Sequence, residues 1–220
     1  MNILIYNRKG GVGKTLVADE LLFSLERSGT PHAFIDLDDQ GSSIHADTTA
    51  DSEAADVVIV DTPGAFSKEV QTWMEDADVI VIPVSASGRD IVQMAAALEA
   101  ARLYAPDTPR VIVANKFNKF KAAQEFMQAL AELQQEGETL VTLPAAEAFQ
   151  NGYLEDRSVV DLAPKSAAAY RTVMMVNAVR DAAGLPPDPV DPQPIKEAIE
   201  RQQSLARQRR ELMRDKLKGR

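Results

Sequence analysis

A glycine-rich stretch near the start of the chain constrains the fold more than any other feature. Residues 8–15 read Arg-Lys-Gly-Gly-Val-Gly-Lys-Thr, and they follow an apolar run at residues 1–7 that is typical of a buried strand. The apolar residues of 16–25 then recur at helical spacing, and Gly29 stands where a helix would end. A strand, a glycine-rich turn and a helix N-terminus together form a phosphate cradle, since backbone N–H groups and the helix dipole converge there.

The residue types within this stretch predict individual roles in nucleotide binding. Lys14 is expected to reach the β- and γ-phosphates, and the Thr15 hydroxyl is expected to ligate Mg²⁺. The backbone around them would surround the phosphates. The predicted nucleotide-binding residues of the stretch are Lys9, Gly10, Gly11, Val12, Gly13, Lys14, Thr15 and Leu16.

The stretch departs from the usual P-loop pattern at its start. Arg8 stands where the pattern has glycine, and a second lysine, Lys9, precedes the glycines. This arrangement resembles the deviant Walker A motif of the ParA/MinD family of ATPases. The resemblance implies an ATP-bound sandwich homodimer in which Lys9 reaches the nucleotide of the partner subunit, so Lys9 and Lys14 are both candidate catalytic residues.

A second strand is predicted at residues 33–38, and it ends in carboxylates. Asp36 and Asp38 would therefore lie at the edge of the sheet where open α/β folds bind ligands. The ParA family has Asp-x-Asp-Pro-Gln-Gly here, and this chain matches it except that Asp39 replaces the proline. The resemblance implies that Asp38 orients or activates the attacking water and that Asp36 contributes to the surroundings of Mg²⁺.

A third apolar strand, residues 56–61, ends in Asp61. A strand-end aspartate of this kind holds Mg²⁺, often through water. The segment Thr62-Pro63-Gly64 would then be a switch loop that senses the γ-phosphate.

The remaining elements predict an α/β P-loop NTPase fold with a mostly parallel sheet and helices on both faces. Strands are expected at residues 79–84, 110–115 and 140–144, and helices at 66–76, 89–104 and 119–136. By resemblance, residues 145–161 form a loop that contacts the nucleotide. Pro164 is expected to open a further helix that Gly184 closes.

Asn115, at the end of the fifth strand, has two interpretations. In MinD-like relatives an asparagine here bonds the adenine edge, and alternatively Asn115 caps the helix of 119–136. A guanine site would need aspartate three residues later, where this chain has Asn118, so ATP is favoured over GTP.

Composition narrows the class of protein. The chain of 220 residues is 45% hydrophobic and contains no cysteine, so disulfides and iron–sulfur or other thiolate metal sites are excluded. No apolar run approaches the roughly 18 residues of a membrane-spanning helix, and no signal peptide is evident. We expect a soluble, cytoplasmic protein, and the resemblance implies that it associates with the nucleoid when ATP is bound.

Charge is distributed unevenly along the chain. Residues 195–220 carry nine Lys/Arg against four Asp/Glu, whereas the rest carries 15 against 29. The nucleotide motifs predict an ATPase domain at 1–185, and the charge and apolar spacing of 195–220 predict a basic amphipathic helical tail. The prolines of 186–194 predict a stiff linker that holds this tail clear of the acidic body. The tail could pair with a partner helix, lie on nucleic acid or membrane, or extend into solvent. Nucleic acid is favoured over membrane, because the tail has no aromatic anchor.

The resemblance covers residues 1 to about 183 and is greatest to the small plasmid-type ParA proteins. It implies a partition ATPase that binds ATP and Mg²⁺, dimerises, binds DNA without sequence preference and is stimulated by a centromere-binding or cargo adaptor protein. Two alternatives are a MinD-like positioning ATPase, with the tail on membrane, and an ATP-dependent metabolic ligase of the same superfamily.

Overall fold

The computed structural model describes residues 1–38, 43–45, 54–85, 91–118 and 120–218, with only the backbone of 211–218. Six strands form one sheet in the order β2-β3-β1-β4-β5-β6, and each pair of neighbouring strands is parallel. The strands are β1 (Asn2–Ile5), β2 (His32–Asp36), β3 (Val57–Asp61), β4 (Val79–Ser85), β5 (Arg110–Phe117) and β6 (Glu138–Pro144). The predicted parallel α/β fold is thereby confirmed.

Eight helices lie within these ranges. They are α1 (Lys14–Ser28), α2 (Lys68–Glu75), α3 (Ile91–Tyr104), α4 (Lys121–Leu133), α5 (Glu147–Leu154), α6 (Val159–Leu162), α7 (Ala167–Ala182) and α8 (Pro192–Lys218). α5 and α6 occupy the segment that was expected to be a loop. α7 begins after Ser166, whose hydroxyl accepts from the N–H of Ala169 at 3.0 Å, and not at Pro164.

The strand residues alternate between two apolar layers, as parallel strands buried on both faces require. On one face, residues such as Leu4, Val60 and Ile82 pack with α2, α3 and α4. On the other, residues such as Ile5 and Val81 pack with α1 and α7. β1 lies between β3 and β4 in the sheet, so the loop that follows it emerges at the centre of the carboxyl edge.

The proline-rich segment does not hold α8 clear of the body. Asp188 is buried, its carboxylate accepts from Arg27 at 2.9 Å, and its N–H donates to Asn177 at 2.7 Å. α8 begins at Pro192, three residues before the expected start, and Ile195 is only 6% exposed in a cluster with Val159 of α6. Proline is accommodated there because the first turn of a helix needs no backbone donor.

Candidate nucleotide site

The glycine-rich stretch forms a tight turn that delivers the chain into α1. Gly13 has φ +99°, a left-handed conformation that favours glycine, and α1 begins at the next residue. A Cβ at Gly13 would collide with the side-chain amide nitrogen of Asn115. The loop after β3 also approaches the turn closely, because a Cβ on Gly64 would lie 3.3 Å from the carbonyl oxygen of Arg8. Glycine is therefore required at position 13, and at position 64 a side chain would make a tight contact with the turn.

The two lysines of the stretch occupy different environments. Lys14 is 7% exposed, and its Nζ lies 3.5 Å from the carbonyl oxygen of Lys9. Lys9 is half-buried on the rim, and its N–H donates to Asn7 at 2.9 Å. The Asn7 amide in turn donates to the carbonyl of Pro83 at 2.7 Å, which fastens the start of the turn to β4. Lys14 thus lies inside the turn and Lys9 at its edge.

Three carboxylates lie near the turn at the ends of β2 and β3. Asp36 pairs with Asp61 in the sheet register, and the N–H of Asp38 donates to the Asp36 carboxylate at 2.9 Å. Asp61 is 1% exposed and accepts from the Thr15 hydroxyl at 2.8 Å. Burial raises the pKa of Asp61 to about 6; Thr15 and Lys14 oppose the shift, and Asp36 and Asp38 add to it.

The oxygens of Asp61 and Thr15 fit a magnesium ion. The second carboxylate oxygen of Asp61 is buried and has no hydrogen-bond partner among the described residues. Mg²⁺ takes hard oxygen ligands and binds through one or two protein groups together with phosphates and water. No group of three His, Cys, Asp or Glu that could hold a metal by itself occurs in the described part of the chain, and such a magnesium site does not need one.

The end of β5 contacts the turn directly. The Asn115 amide donates to the carbonyl of Val12 at 2.8 Å, and its oxygen accepts from the N–H of Lys116 at 2.8 Å. Phe120, not Asn115, is the residue that precedes α4, and its N–H donates to Asn118. The capping interpretation of Asn115 is therefore wrong. A contact with the base stays a prediction.

Beside the turn, a cavity of about 770 Å³ opens between α1 and α5. Its walls combine the turn, the end of β6 and one side of α5, and they are predominantly apolar. The lining includes Leu16, Phe23, Pro144, Ala146, Phe149 and Tyr153. A cavity of this size beside a phosphate cradle can enclose a base and a sugar.

Sequence reasoning missed two carboxylates of α1 that shape this cavity. Glu20 accepts from the hydroxyl of Ser158 at 2.6 Å and from the N–H of Val159 at 2.9 Å, so it anchors the start of α6. Burial raises the pKa of Glu20 to about 7 against these hydrogen bonds. Asp19 accepts from the Ser43 hydroxyl at 2.6 Å and lies 3.0 Å from His45 Nδ1. The only local signal was the presence of acidic residues among the apolar ones of α1, since buried carboxylates require partners.

The structure brings most of the predicted site residues together. The glycine-rich turn receives hydrogen bonds from Lys14 and Asn115, and Thr15 at the start of α1 donates to Asp61. Lys9 lies on the turn itself, and Asp36 and Asp38 lie at and just after the end of β2. Gln40 and Gly41, which match the ParA pattern after β2, and Asp39, which departs from it, lie outside the described residues.

Comparison with known proteins identifies the family of the nucleotide-binding domain. The family model described as the CobQ/CobB/MinD/ParA nucleotide binding domain matches residues 3–159. No curated protein matches the chain in sequence. None of the helices in the described ranges is long and apolar enough to cross a membrane.

Several solved structures share the fold at low sequence identity. McdA from Cyanothece, in complex with ATP, has a TM-score of 0.69 at 15% identity over 84% of this chain and 96% of that one. MinD from Pyrococcus horikoshii, complexed with Mg-ADP, has a TM-score of 0.61 and 16% sequence identity, and the match covers 84% of this chain and 97% of that one. A plasmid partition protein from Borrelia burgdorferi has a TM-score of 0.56 and 14% identity, and the match covers 74% of this chain and 97% of that one.

Proposed function

Because the chain belongs to the CobQ/CobB/MinD/ParA nucleotide-binding family, we propose that it is a ParA-type ATPase that partitions DNA or positions other cargo. Its ATP-bound sandwich homodimer binds DNA without sequence preference. A centromere-binding or cargo adaptor protein then stimulates hydrolysis to ADP and phosphate, which returns the protein to monomers.

The observation that carries this proposal is the placement of the two lysines on one turn. Lys14 is enclosed, with its ammonium group near the carbonyl of Lys9. Lys9 lies at the edge between the exposed residues Arg8 and Gly10. An enclosed lysine serves the nucleotide of its own subunit, whereas a lysine on an exposed edge is placed to serve a nucleotide in a second subunit. The arrangement therefore supports a site that is completed by dimerisation.

The remaining polar groups have distinct roles in the proposed reaction. Thr15 and Asp61, with Asp36 nearby, hold Mg²⁺, which when bound neutralises charge on the β- and γ-phosphates. Asp38 orients the attacking water, because it follows β2 by two residues and its charge is near enough to Asp61 to raise the pKa of that carboxyl. Asn115 and the cavity beside it receive the base. Leu16 lines the cavity from the first turn of α1.

Two substitutions in one loop test the proposal. Lys14→Ala should abolish ATP binding, because the enclosed charge that faces the β- and γ-phosphates is lost. Lys9→Ala should leave ATP binding by the monomer intact and prevent ATP-dependent dimerisation, because its target lies in the other subunit. Equilibrium binding of ATP and light scattering with and without ATP measure the two effects.

The same experiment has a matched control and a clear failure. Arg8→Ala changes an exposed cation of the same turn and should dimerise with ATP like the wild type. If Lys9→Ala also dimerises normally, the deviant Walker A assignment and the sandwich dimer are both wrong.

We propose further that the exposed part of α8 contributes to binding DNA or the adaptor. Residues 201–210 are all exposed, and they contain four arginines and no acidic residue. Their charge is opposite to that of the acidic body and suits a polyanion.

A further inference from the structure

The end of β5 has an irregular backbone. The pairing of β5 with β6 shifts register between Ala114 and Phe117, so Asn115 and Lys116 lie at a bulge. Lys116 has φ +56°, a left-handed conformation that is unfavourable for a residue with a side chain. Bulges of this kind redirect side chains and occur frequently beside functional sites. The irregularity therefore redirects the side chains of Asn115 and Lys116.

The side chains of Asn115 and Lys116 both reach the glycine-rich turn, where they donate to consecutive backbone carbonyl groups. The Asn115 amide donates to the carbonyl of Val12 at 2.8 Å. The Lys116 ammonium group donates to the carbonyl of Gly11 at 2.9 Å. The Asn115 oxygen also accepts from the N–H of Lys116, which fixes the two residues relative to each other.

Fixing these carbonyls also fixes two N–H groups. In a trans peptide the C=O of one residue and the N–H of the next point in opposite directions. Holding the carbonyls of Gly11 and Val12 towards β5 therefore turns the N–H groups of Val12 and Gly13 away from β5. Converging N–H groups are what a phosphate cradle requires.

We propose that Asn115 and Lys116 form a clamp that presets the turn for phosphate, and that Lys116 is a positioning residue of the ATP site. The inference rests on the proposed function, because the turn must bind nucleotide phosphates for its preset shape to matter. The clamp acts through the backbone of the turn, and neither residue needs to touch the phosphates. It also explains why residue 13 is glycine, since a side chain there would displace the Asn115 amide.

Variants of Lys116 provide the main test, because this side chain is exposed and its loss should not unfold the protein. Lys116→Ala and Lys116→Gly should each weaken ATP binding by roughly tenfold, the usual scale for one hydrogen bond to a charged group. Lys116→Arg should retain most of the affinity, because it keeps a cationic donor. The glycine variant also removes the backbone strain, so a loss of affinity in that variant comes from the missing ammonium group. Lys121→Ala, which removes an 89% exposed lysine paired with Glu125, is the matched control.

Competition with inorganic tripolyphosphate measures the affinity of the turn for phosphate alone, because this ligand has no base. It therefore separates positioning of the phosphates from contact with the base. The clamp predicts that Lys116→Gly weakens tripolyphosphate and ATP by the same factor. In steady-state turnover it predicts a raised KM with kcat near the wild-type value, because bound phosphates restore the shape of the turn. A loss confined to ATP, or an unchanged affinity for both ligands, would overturn the clamp.

Asn115→Asp tests the second half of the clamp at almost constant volume. The carboxylate cannot donate to the carbonyl of Val12, so the affinity for tripolyphosphate should fall by about 10²-fold and the affinity for ATP by at least as much, because Asn115 is also proposed to receive the base. The melting temperature shows whether the Asn115→Asp variant is folded. If it is not folded, the Lys116 variants alone decide whether the clamp exists. Normal binding of both ligands by folded Asn115→Asp would refute the clamp. Failure of the wild type and of Lys121→Ala to bind ATP would instead refute the proposed function, and the inference with it.

Discussion

The carboxyl edge of the sheet and the exposed part of α8 differ in how many contacts their side chains make with the rest of the protein. At the sheet edge, side-chain contacts join segments that lie far apart in sequence, by 46 residues for Thr15 and Asp61 and by 103 for Asn115 and Val12. Residues 201–210 of α8 are exposed throughout, and their charges face solvent. The contacts of the first region fix the positions of its side chains within the fold. The exposed part of α8 is characterised by its charge and length.

The largest change in the rate of ATP hydrolysis is expected from a substitution of Asp38 at the carboxyl edge of the sheet. Asp38→Ala should slow ATP hydrolysis on the order of 10²-fold or more, because the group that positions the water is lost. ATP binding should persist, so the variant should accumulate as an ATP-bound dimer. Phosphate release at saturating ATP measures the first effect and light scattering the second. Unchanged turnover would transfer the catalytic role to Asp36 or Asp39.

Glu20 lines the cavity beside the glycine-rich turn, and its titration makes the stability of the folded protein depend on pH. Its pKa is about 7 in the folded protein, above the ordinary value of 4.5, because of burial. The folded state therefore holds a proton that the unfolded state releases, and this stabilisation is complete below pH 4.5 and is lost as the pH rises through 7. Glu20→Gln removes the titration. Relative to wild type, its free energy of unfolding should rise by about 2–3 kcal/mol between pH 4.5 and 8.

Urea unfolding at several pH values measures this difference. Glu99→Gln, at an exposed position of α3, is the control and should parallel the wild type. If Glu20→Gln also parallels the wild type, the carboxylate that anchors α6 is ionised at low pH and burial does not control it.

The sequence alone predicted the parts of the site that depend on local pattern. Strand ends are recognisable from apolar runs, and parallel strands bring their carboxyl ends to one edge, so Asp36, Asp61 and Asn115 could be placed together. The contacts of Glu20 with Ser158 and of Lys116 with Gly11 could not be predicted. They span 138 and 105 residues, and no periodicity encodes which distant groups a side chain meets.

The boundary between the two regions can be located by truncation. Ending the chain after Leu185 removes Asp188 and Ile195, so the protein should lose about 2 kcal/mol or more of its free energy of unfolding. Ending it after Glu200 removes only residues beyond the packed turns of α8, and the cost should stay within about 0.5 kcal/mol. Urea midpoints of the two truncated proteins measure the difference. Equal stability would show that the first turns of α8 do not belong to the body.

The smallest expected effect concerns the arginines of α8. Replacing Arg201, Arg207, Arg209 and Arg210 with glutamine should leave ATP turnover unchanged, because these side chains lie outside the proposed nucleotide site. Binding of ATP-loaded protein to DNA should be indifferent to sequence and should weaken by about tenfold in the variant at about 0.1 M salt. The log–log salt slope should become shallower by about 0.9 for each phosphate that the variant no longer neutralises.

Two assays distinguish the partner of α8. A loss of DNA binding by the purified variant assigns the arginines to nucleic acid, and a loss seen only in adaptor-stimulated hydrolysis assigns them to the adaptor. If the variant matches the wild type in both, this part of α8 is a solvated extension. Tight, salt-insensitive binding of DNA without ATP would contradict the proposed role of the dimer.

The central position of β1 has a consequence for how the protein is made. β1 is the first of the six strands to leave the ribosome, yet Asn2 pairs with Val58 and Ile3 pairs with Val79. Its glycine-rich turn is joined by the ammonium group of Lys116 only after that residue has been synthesised. Since non-local pairing is slow, the nascent chain holds an apolar strand without its neighbours for much of its synthesis. The glycine-rich turn therefore lacks this contact during the early steps of folding and gains it only after β5 has been synthesised.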